Sequence, residues 1–493
     1  MSAQVVLHEA PDRSSFLATR EGKLTLAFLC MVGFLDFVDA SIVNVALPTI
    51  RHDLHFSVQN LQWVLSGYLL TYGGFMLLGG RAADLLGRRR ILVAGMVVFA
   101  LSSLTGGLAT DSTMLIAARL VQGIGAAMML PAALSILTTT FHEGKDRNTA
   151  LGAWGAIAGL ASAVGVFLGG LLTEDVGWRW VLWVNLPVCA ILLVATFRVV
   201  SADRPVERVR HFDALGAVLV TGGMLLLIFT LVKAPSVGWG TTRTIAGLAV
   251  TGLLLVGFLI NERRNANPLV PLSIFRIKGL AAADATQVIA MAGFYSMFFF
   301  ITLYMQNVLG FSQLQAGTAY LPVTAGVVVS SGIASQLFAR VGTRPIIVAG
   351  ALISAGAVYW LSRIPVDGSY VSDLLPGLVI MSFGLGFVFV GVNTAANAGV
   401  PPDKAGLAAA LVNTSTWLGG ALGLAIFSVI ATTRTQDLLG ANASRPDALT
   451  SGFRDALVAC SVFLLAAALI ALRATNTRGE PAASESAPAL EAA

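Results

Sequence analysis

A chain of 493 residues that is 56% hydrophobic and 12% charged cannot present enough polar surface to be a soluble globular enzyme. Its net charge of +5 comes from basic residues scattered through short loops between apolar stretches, not from the single basic face that nucleic-acid binding requires. Crossing about 30 Å of hydrocarbon takes roughly 20 apolar residues in a helix, so an all-α polytopic membrane protein is expected; the short alternating segments of a β-barrel do not occur.

In chain order, residues 1–24 are polar, with Pro11, Asp12 and Arg13, and lack the apolar core and cleavage site of a signal peptide. They are predicted to form a cytoplasmic tail. Fourteen transmembrane helices are predicted, beginning near Thr25, Leu61, Ile91, Thr113, Asn148, Val181, Ala214, Thr244, Ala281, Ala316, Arg344, Leu374, Ala405 and Arg454. They group as a six-helix bundle over 25–200, a linker with two inserted helices over 201–280, and a second six-helix bundle over 281–473. The Ala-, Ser- and Glu-rich segment 474–493 is expected to be a disordered cytoplasmic tail. With the N-terminus in the cytoplasm, 22 of the 31 Lys and Arg fall on the cytoplasmic side and 8 outside, the asymmetry the positive-inside rule demands. The expected location is the cell inner membrane, with both termini cytoplasmic.

The grouping rests on an internal repeat. Gly87-Arg-Arg-Arg-Ile-Leu-Val-Ala-Gly95 reads like Gly342-Thr-Arg-Pro-Ile-Ile-Val-Ala-Gly350, and Gly169-Gly170 has a counterpart in Gly419-Gly420. Parallel repeats of this kind characterise the two halves of alternating-access transporters.

Asp36 and Asp39 lie three residues apart in the first span and therefore on one helical face. Each would cost about 2.5 to 3.5 kcal/mol at the bilayer centre, so neither is expected to face lipid. Such acids suit proton carriage, with a fixed ion pair as the plainer reading. Arg119, in the fourth span, lies at a depth close to that of Asp39 by residue counting at about 1.5 Å per residue. After the second span, Gly80, Asp84, Gly87 and Arg88 form a spaced turn: glycines for tightness, arginines for the cytoplasmic side, and an Asp able to oppose a helix N-terminus. Gly165, Gly169 and Gly170 give the fifth span a small-residue face for close helix contact. Cys30, Cys189 and Cys460 all fall in apolar spans and read as packing residues, and His52 with His55 has no further ligand nearby, so no metal site is expected.

The loop Gly80-x-x-x-Asp84-x-x-Gly87-Arg88 resembles the signature loop of the major facilitator superfamily, with Ala82 where Leu is usual and Leu85 where Arg is usual. More narrowly, Val38 to Pro48, the Arg119, Gln122, Gly123 and Gly125 group, and Gly177 to Pro187 are similar to motifs of its fourteen-helix drug:proton antiporter family. The resemblance implies that fold and proton-coupled multidrug efflux by a monomer. It further implies proton coupling at Asp39, with Asp36 an addition, and a latch from Asp84 to the helix starting around 403–406. Two departures stand out: Val166 replaces the Pro of the antiporter motif, and Thr416-Trp417 replaces a frequent Arg-Gln.

For the substrate, candidate cavity residues are Asn44, Phe294, Tyr295, Phe298, Tyr304, Asn393, Asn397 and Asn413, an apolar lining with a few hydrogen-bonding groups. The expected partners are a small molecule, protons and the lipid bilayer, with no nucleic acid and no cofactor beyond the proton gradient. No nucleophile arrangement or nucleotide-binding loop suggests an enzyme. The alternatives are transport of another small molecule, outward or inward, and a non-transporting membrane receptor.

Overall fold

A computed structural model of the chain describes residues 16–141, 145–201, 213–266, 268–270, 272–398, 400 and 405–477. No strand occurs among them. The long helices are α1 (Arg20–Asp53), α2 (Trp63–Leu86), α3 (Arg88–Gly107), α4 (Ser112–Thr140), α5 (Lys145–Asp175) and α6 (Trp180–Val199). These are followed by α7 (Ala214–Val237), α8 (Thr242–Arg264), α9 (Leu280–Asn307), α10 (Leu321–Val341), α11 (Thr343–Leu361), α12 (Leu375–Asn397), α13 (Ala405–Gly440) and α14 (Arg445–Ala471). A short helix, Gln313–Thr318, leads into α10.

Among the described residues, 12 helices are long and apolar enough to cross a membrane. The protein is thus a multi-pass membrane protein. The count of fourteen depends on α2 and α5, which are not among those 12.

Local chemistry explains where the helices begin and turn. Asp111 caps α4 by accepting from the Thr113 and Met114 N–H groups, and Ser444 caps α14 through Asp447 N; both satisfy donors that a helix start leaves unpaired. Between α2 and α3 the chain reverses at one residue, Gly87, with φ of 106°. Gly342 does the same between α10 and α11 with φ of 91°. A side chain at either position would strain the backbone, so the sequence repeat at 87 and 342 is a repeat of turn geometry.

Helix contacts repeat as well. A Cβ on Gly165 would stand 2.0 Å from Ser41 Oγ, and one on Gly169 would stand 2.4 Å from Ile42 O, so α5 lies directly on α1. In the second half, a Cβ on Gly419 would meet Val288 O at 2.3 Å and one on Gly423 would meet Ala292 O at 2.3 Å, which sets α13 on α9 in the same manner. The following glycine of each pair serves a different contact. Gly170 faces Gln313 and Leu314, and Gly420 faces Tyr295 and Leu69; both lie where the first six helices meet the last six. The helices α7 and α8 pack on each other beside α2 and α13, tied to α2 by Thr221 Oγ1 donating to Gly74 O at 3.1 Å.

Candidate functional site

Asp36 and Asp39 both have no solvent exposure. Their helix presents them to α2, α4 and α6, and the two carboxyls are served by separate sets of donors.

Asp39 is fully engaged. Its Oδ2 accepts from Arg119 Nη1 at 2.8 Å, and its Oδ1 accepts from Gln122 Nε2 at 2.8 Å and Asn185 Nδ2 at 2.6 Å. Arg119, itself unexposed, also donates to Gln122 Oε1 at 2.7 Å and, through Nε, to Val64 O at 3.0 Å. Its guanidinium lies 4.2 Å from the centre of the Tyr68 ring, a favourable cation–π distance. Ser103 closes the network by accepting from Gln122 and Asn185. Removing either charge would leave its partner buried without a counter-ion, which costs about 3 to 5 kcal/mol. Protonation of Asp39 would likewise leave Arg119 without its counter-charge.

Asp36 sits one turn earlier in α1. Its Oδ1 accepts from the Tyr68 hydroxyl at 3.2 Å, and its Oδ2 accepts from the Tyr72 hydroxyl. Tyr72 in turn stacks on Trp417 of α13, with ring centres 4.3 Å apart, and Tyr295 of α9 lies 6.1 Å from the same indole. Asp36 thus connects the first bundle to an aromatic group supplied mostly by the second.

The counting of depths along α1 and α4 anticipated the proximity of Asp39 and Arg119. Sequence reasoning did not assign roles to Asn185, Ser103, Tyr68 or Tyr72. Asn185 offered a signal, as an amide inside an apolar span; the i, i+4 tyrosines of α2 offered a weaker one.

The other candidate residues are dispersed. Asn44 donates to Thr302 Oγ1 at 3.3 Å across the junction of the halves, while Phe298 packs edge-on against Tyr320 at 5.4 Å. Phe294 is core. Tyr304 donates to Pro365 O, which ties α9 to the loop after α11 and keeps it apart from Asp36. Asn393 donates to Phe389 O of its own helix, and Asn413 is half-buried. The Asn397 and Asp84 side chains, and residues 401–404, lie outside the described residues, so the contact expected of Asp84 does too. Of the turn, a Cβ added at Gly80 would meet Pro131 at 3.5 Å, an ordinary contact, and Arg88 Nη1 donates to Thr139 Oγ1 at 2.8 Å.

Where α1 ends, polar contacts join the two halves. Gln313 Nε2 donates to Thr49 Oγ1 at 2.8 Å, Gln306 Nε2 to Val45 O at 2.9 Å, and Leu314 N to Glu174 Oε2 at 3.0 Å. The halves are closed on this rim.

Comparison with known proteins agrees with this arrangement. Residues 29–424 match the model of the Major Facilitator Superfamily. The chain is 39% identical to the cephamycin export protein CmcT of Amycolatopsis lactamdurans, over 93% of each chain. It is 36% identical to the puromycin resistance protein pur8 of Streptomyces alboniger, over 93% of this chain and 92% of that one. Among solved structures, an inward-facing, unoccupied bacterial homologue of the human lysosomal transporter Spinster superposes with a TM-score of 0.66 at 17% identity, covering 92% of this chain and 97% of that one.

Proposed function

Because this chain belongs to the major facilitator superfamily, we propose that it is a secondary transporter exporting a hydrophobic or cationic drug-like molecule or related metabolite in exchange for protons, by alternating access. The single observation that supports proton coupling is the unexposed Asp39–Arg119 pair. A cephamycin export protein and a puromycin resistance protein, both alike along nearly the whole chain, support the cargo class.

In this reading the protein is not an enzyme and uses no cofactor; the proton gradient drives it. One charge moving through 100 mV supplies about 2.3 kcal/mol, equivalent to roughly a 50-fold substrate gradient. It works as a monomer in the inner membrane with fourteen spans, α2 and α5 included, and both termini in the cytoplasm. The rim where α1 ends is then external, so the described conformation is closed to the outside. When the halves rock to open that rim, Arg119 shifts relative to Asp39, and a proton from outside takes its place. Release of that proton inward restores the pair.

Purified protein in proteoliposomes tests this. Substrate addition is expected to drive proton movement opposite to substrate movement in the wild type, and Asp39→Asn is expected to abolish uphill export while keeping the folded state. Protons moving with substrate would indicate uptake instead, and unchanged coupling in Asp39→Asn would remove its assigned role.

A further inference from the structure

Among the described residues the buried carboxyls are Asp36, Asp39, Asp213, Glu262 and Asp284. Asp36 and Asp39 hold donors of their own, and Asp284 stands alone. Asp213 and Glu262 meet each other. Asp213 caps the start of α7, and Glu262 belongs to the polar end of α8, Asn261-Glu-Arg-Arg264. They are 5% and 3% exposed. Asp213 Oδ2 and Glu262 Oε1 converge on Gly216, where an added Cβ would stand 2.5 Å from the first and 2.6 Å from the second. The lack of a side chain at 216 lets the two carboxyls close on each other.

Their other contacts are unequal. Asp213 Oδ1 accepts from Gly216 N at 2.9 Å, and its Oδ2 accepts from Asn261 Nδ2 at 2.7 Å. Glu262 Oε2 accepts from Val270 N at 2.7 Å, whereas its Oε1 is buried and no nitrogen or hydroxyl donor reaches it. What faces that oxygen is the Asp213 carboxyl, in hydrogen-bonding contact. Among the described residues no other charged group bears on either acid. Arg263 and Arg264 at the end of α8, and Arg276 and Lys278 of the linker, are exposed. In α7 the next charge is Lys233, near its far end, and in α13 it is Arg434. The side chains of Arg81 and Asp84 in α2 lie outside the described residues.

We infer that Asp213 and Glu262 bind one proton between them, and that this proton clamps the linker to the second bundle onto the inserted helices. Two buried carboxylates in contact repel, and one proton relieves the repulsion. The donors on Asp213 favour its ionised form, so the proton rides on Glu262 Oε1 and is donated to Asp213 Oδ2. Glu262 is thereby held where its Oε2 accepts from Val270 N. When the proton leaves Oε1 for water, the carboxylates push apart and Val270 N loses its acceptor. The linker it anchors is packed through Leu269, Val270 and Ile274 and leads into α9, whose Thr302 and Gln306 bond to α1 across the two halves. The clamp sits on the side opposite the closed rim, so the acidity of that side is passed to the helix that helps close the other. The inference stands apart from the exporter reading.

The full chain in lipid vesicles tests it by infrared difference spectroscopy and amide hydrogen exchange from acid to alkaline buffer. Subtracting the spectrum of Glu262→Gln from that of the wild type is expected to leave a protonated-carboxyl band that disappears as pH rises. Over the same interval, exchange at Val270, corrected for its intrinsic rise with pH, is expected to speed up at least tenfold. Glu262→Gln offers Nε2 to Asp213 and Oε1 to Val270 N without a titrating proton, so its Val270 should stay protected throughout. Asp213→Asn removes the charge that the proton offsets and is expected to lose the band at a lower pH than the wild type. The assignment is overturned if no such band exists, if Val270 exchange depends on pH alike in the wild type and Glu262→Gln, or if the band of Asp213→Asn titrates as in the wild type. Exchange that a chelator accelerates at fixed pH and magnesium slows again would put a metal ion between the carboxyls, and would overturn it equally.

Discussion

Arg119 donates to three acceptors, Asp39, Gln122 and the Val64 carbonyl, from a position with no exposure. Lysine carries the same charge but lacks the planar fork needed to serve all three. Arg119→Lys is expected to lower uphill export at least tenfold, as measured by substrate gradients in vesicles. Arg119→Leu is expected to destabilise the protein by about 3 to 5 kcal/mol, because Asp39 stays behind uncompensated. The double variant Asp39→Asn/Arg119→Leu should recover most of that loss in thermal unfolding and none of the transport. A double variant as unstable as Arg119→Leu alone would mean that the guanidinium matters through packing and not through its charge.

Among the elements, the glycine-faced helices α5 and α13 explain how two long helices approach α1 and α9 closely enough to hold a buried acid in place. Backbone carbonyls of Ile42 and Ala292 occupy the space a side chain would need, and a carbonyl on a helix cannot swing aside as a side chain can. Gly169→Leu and Gly423→Leu are therefore each expected to abolish accumulation of folded protein, assayed by monodisperse elution in detergent. Gly222→Leu, where nothing lies within 4 Å of the added Cβ, should be tolerated. The inserted pair has its own tie. Asp213 caps α7 by accepting from Gly216 N and also accepts from Asn261 Nδ2 of α8 at 2.7 Å. Burial pushes its carboxyl up, but those hydrogen bonds outweigh burial and hold it below the ordinary value. A depressed carboxyl stabilises the fold above its unfolded pKa of about 3.9 and loses that contribution as pH falls through the folded value. Asp213→Ala is expected to cost about 1 kcal/mol at neutral pH, and less in acid, by thermal melts across that range.

At the scale of the whole molecule, transport requires the rim where α1 ends to open and close. Thr49 and Gln313 meet there across the two halves. In a Thr49→Cys/Gln313→Cys variant, oxidation is expected to halt export and a reductant to restore it. The native Cys30, Cys189 and Cys460 are all buried, so the new pair is the one that reacts. Full export with the cross-link formed would show that this rim does not move.

Much of the molecule could be read from the chain itself. Helix positions follow from the length of each apolar run, because a bilayer leaves helices as the way to satisfy the backbone. Single-residue turns at Gly87 and Gly342 follow from a backbone conformation that other residues resist. Asp39 and Arg119 stood out because unpaired charges in hydrocarbon are costly, and counting residues put them at a common depth. The tertiary structure decided which neutral groups complete the site. Asn185, Ser103, Tyr68 and Tyr72 carry no charge that would betray a partner, and their places around the acids depend on how α2, α3 and α6 rotate about their axes. That rotation is set by packing between helices distant in sequence. The same packing divides the acids by partner: Asp39 is paired, Asp36 is bound by phenols, and Asp284 is left without a donor.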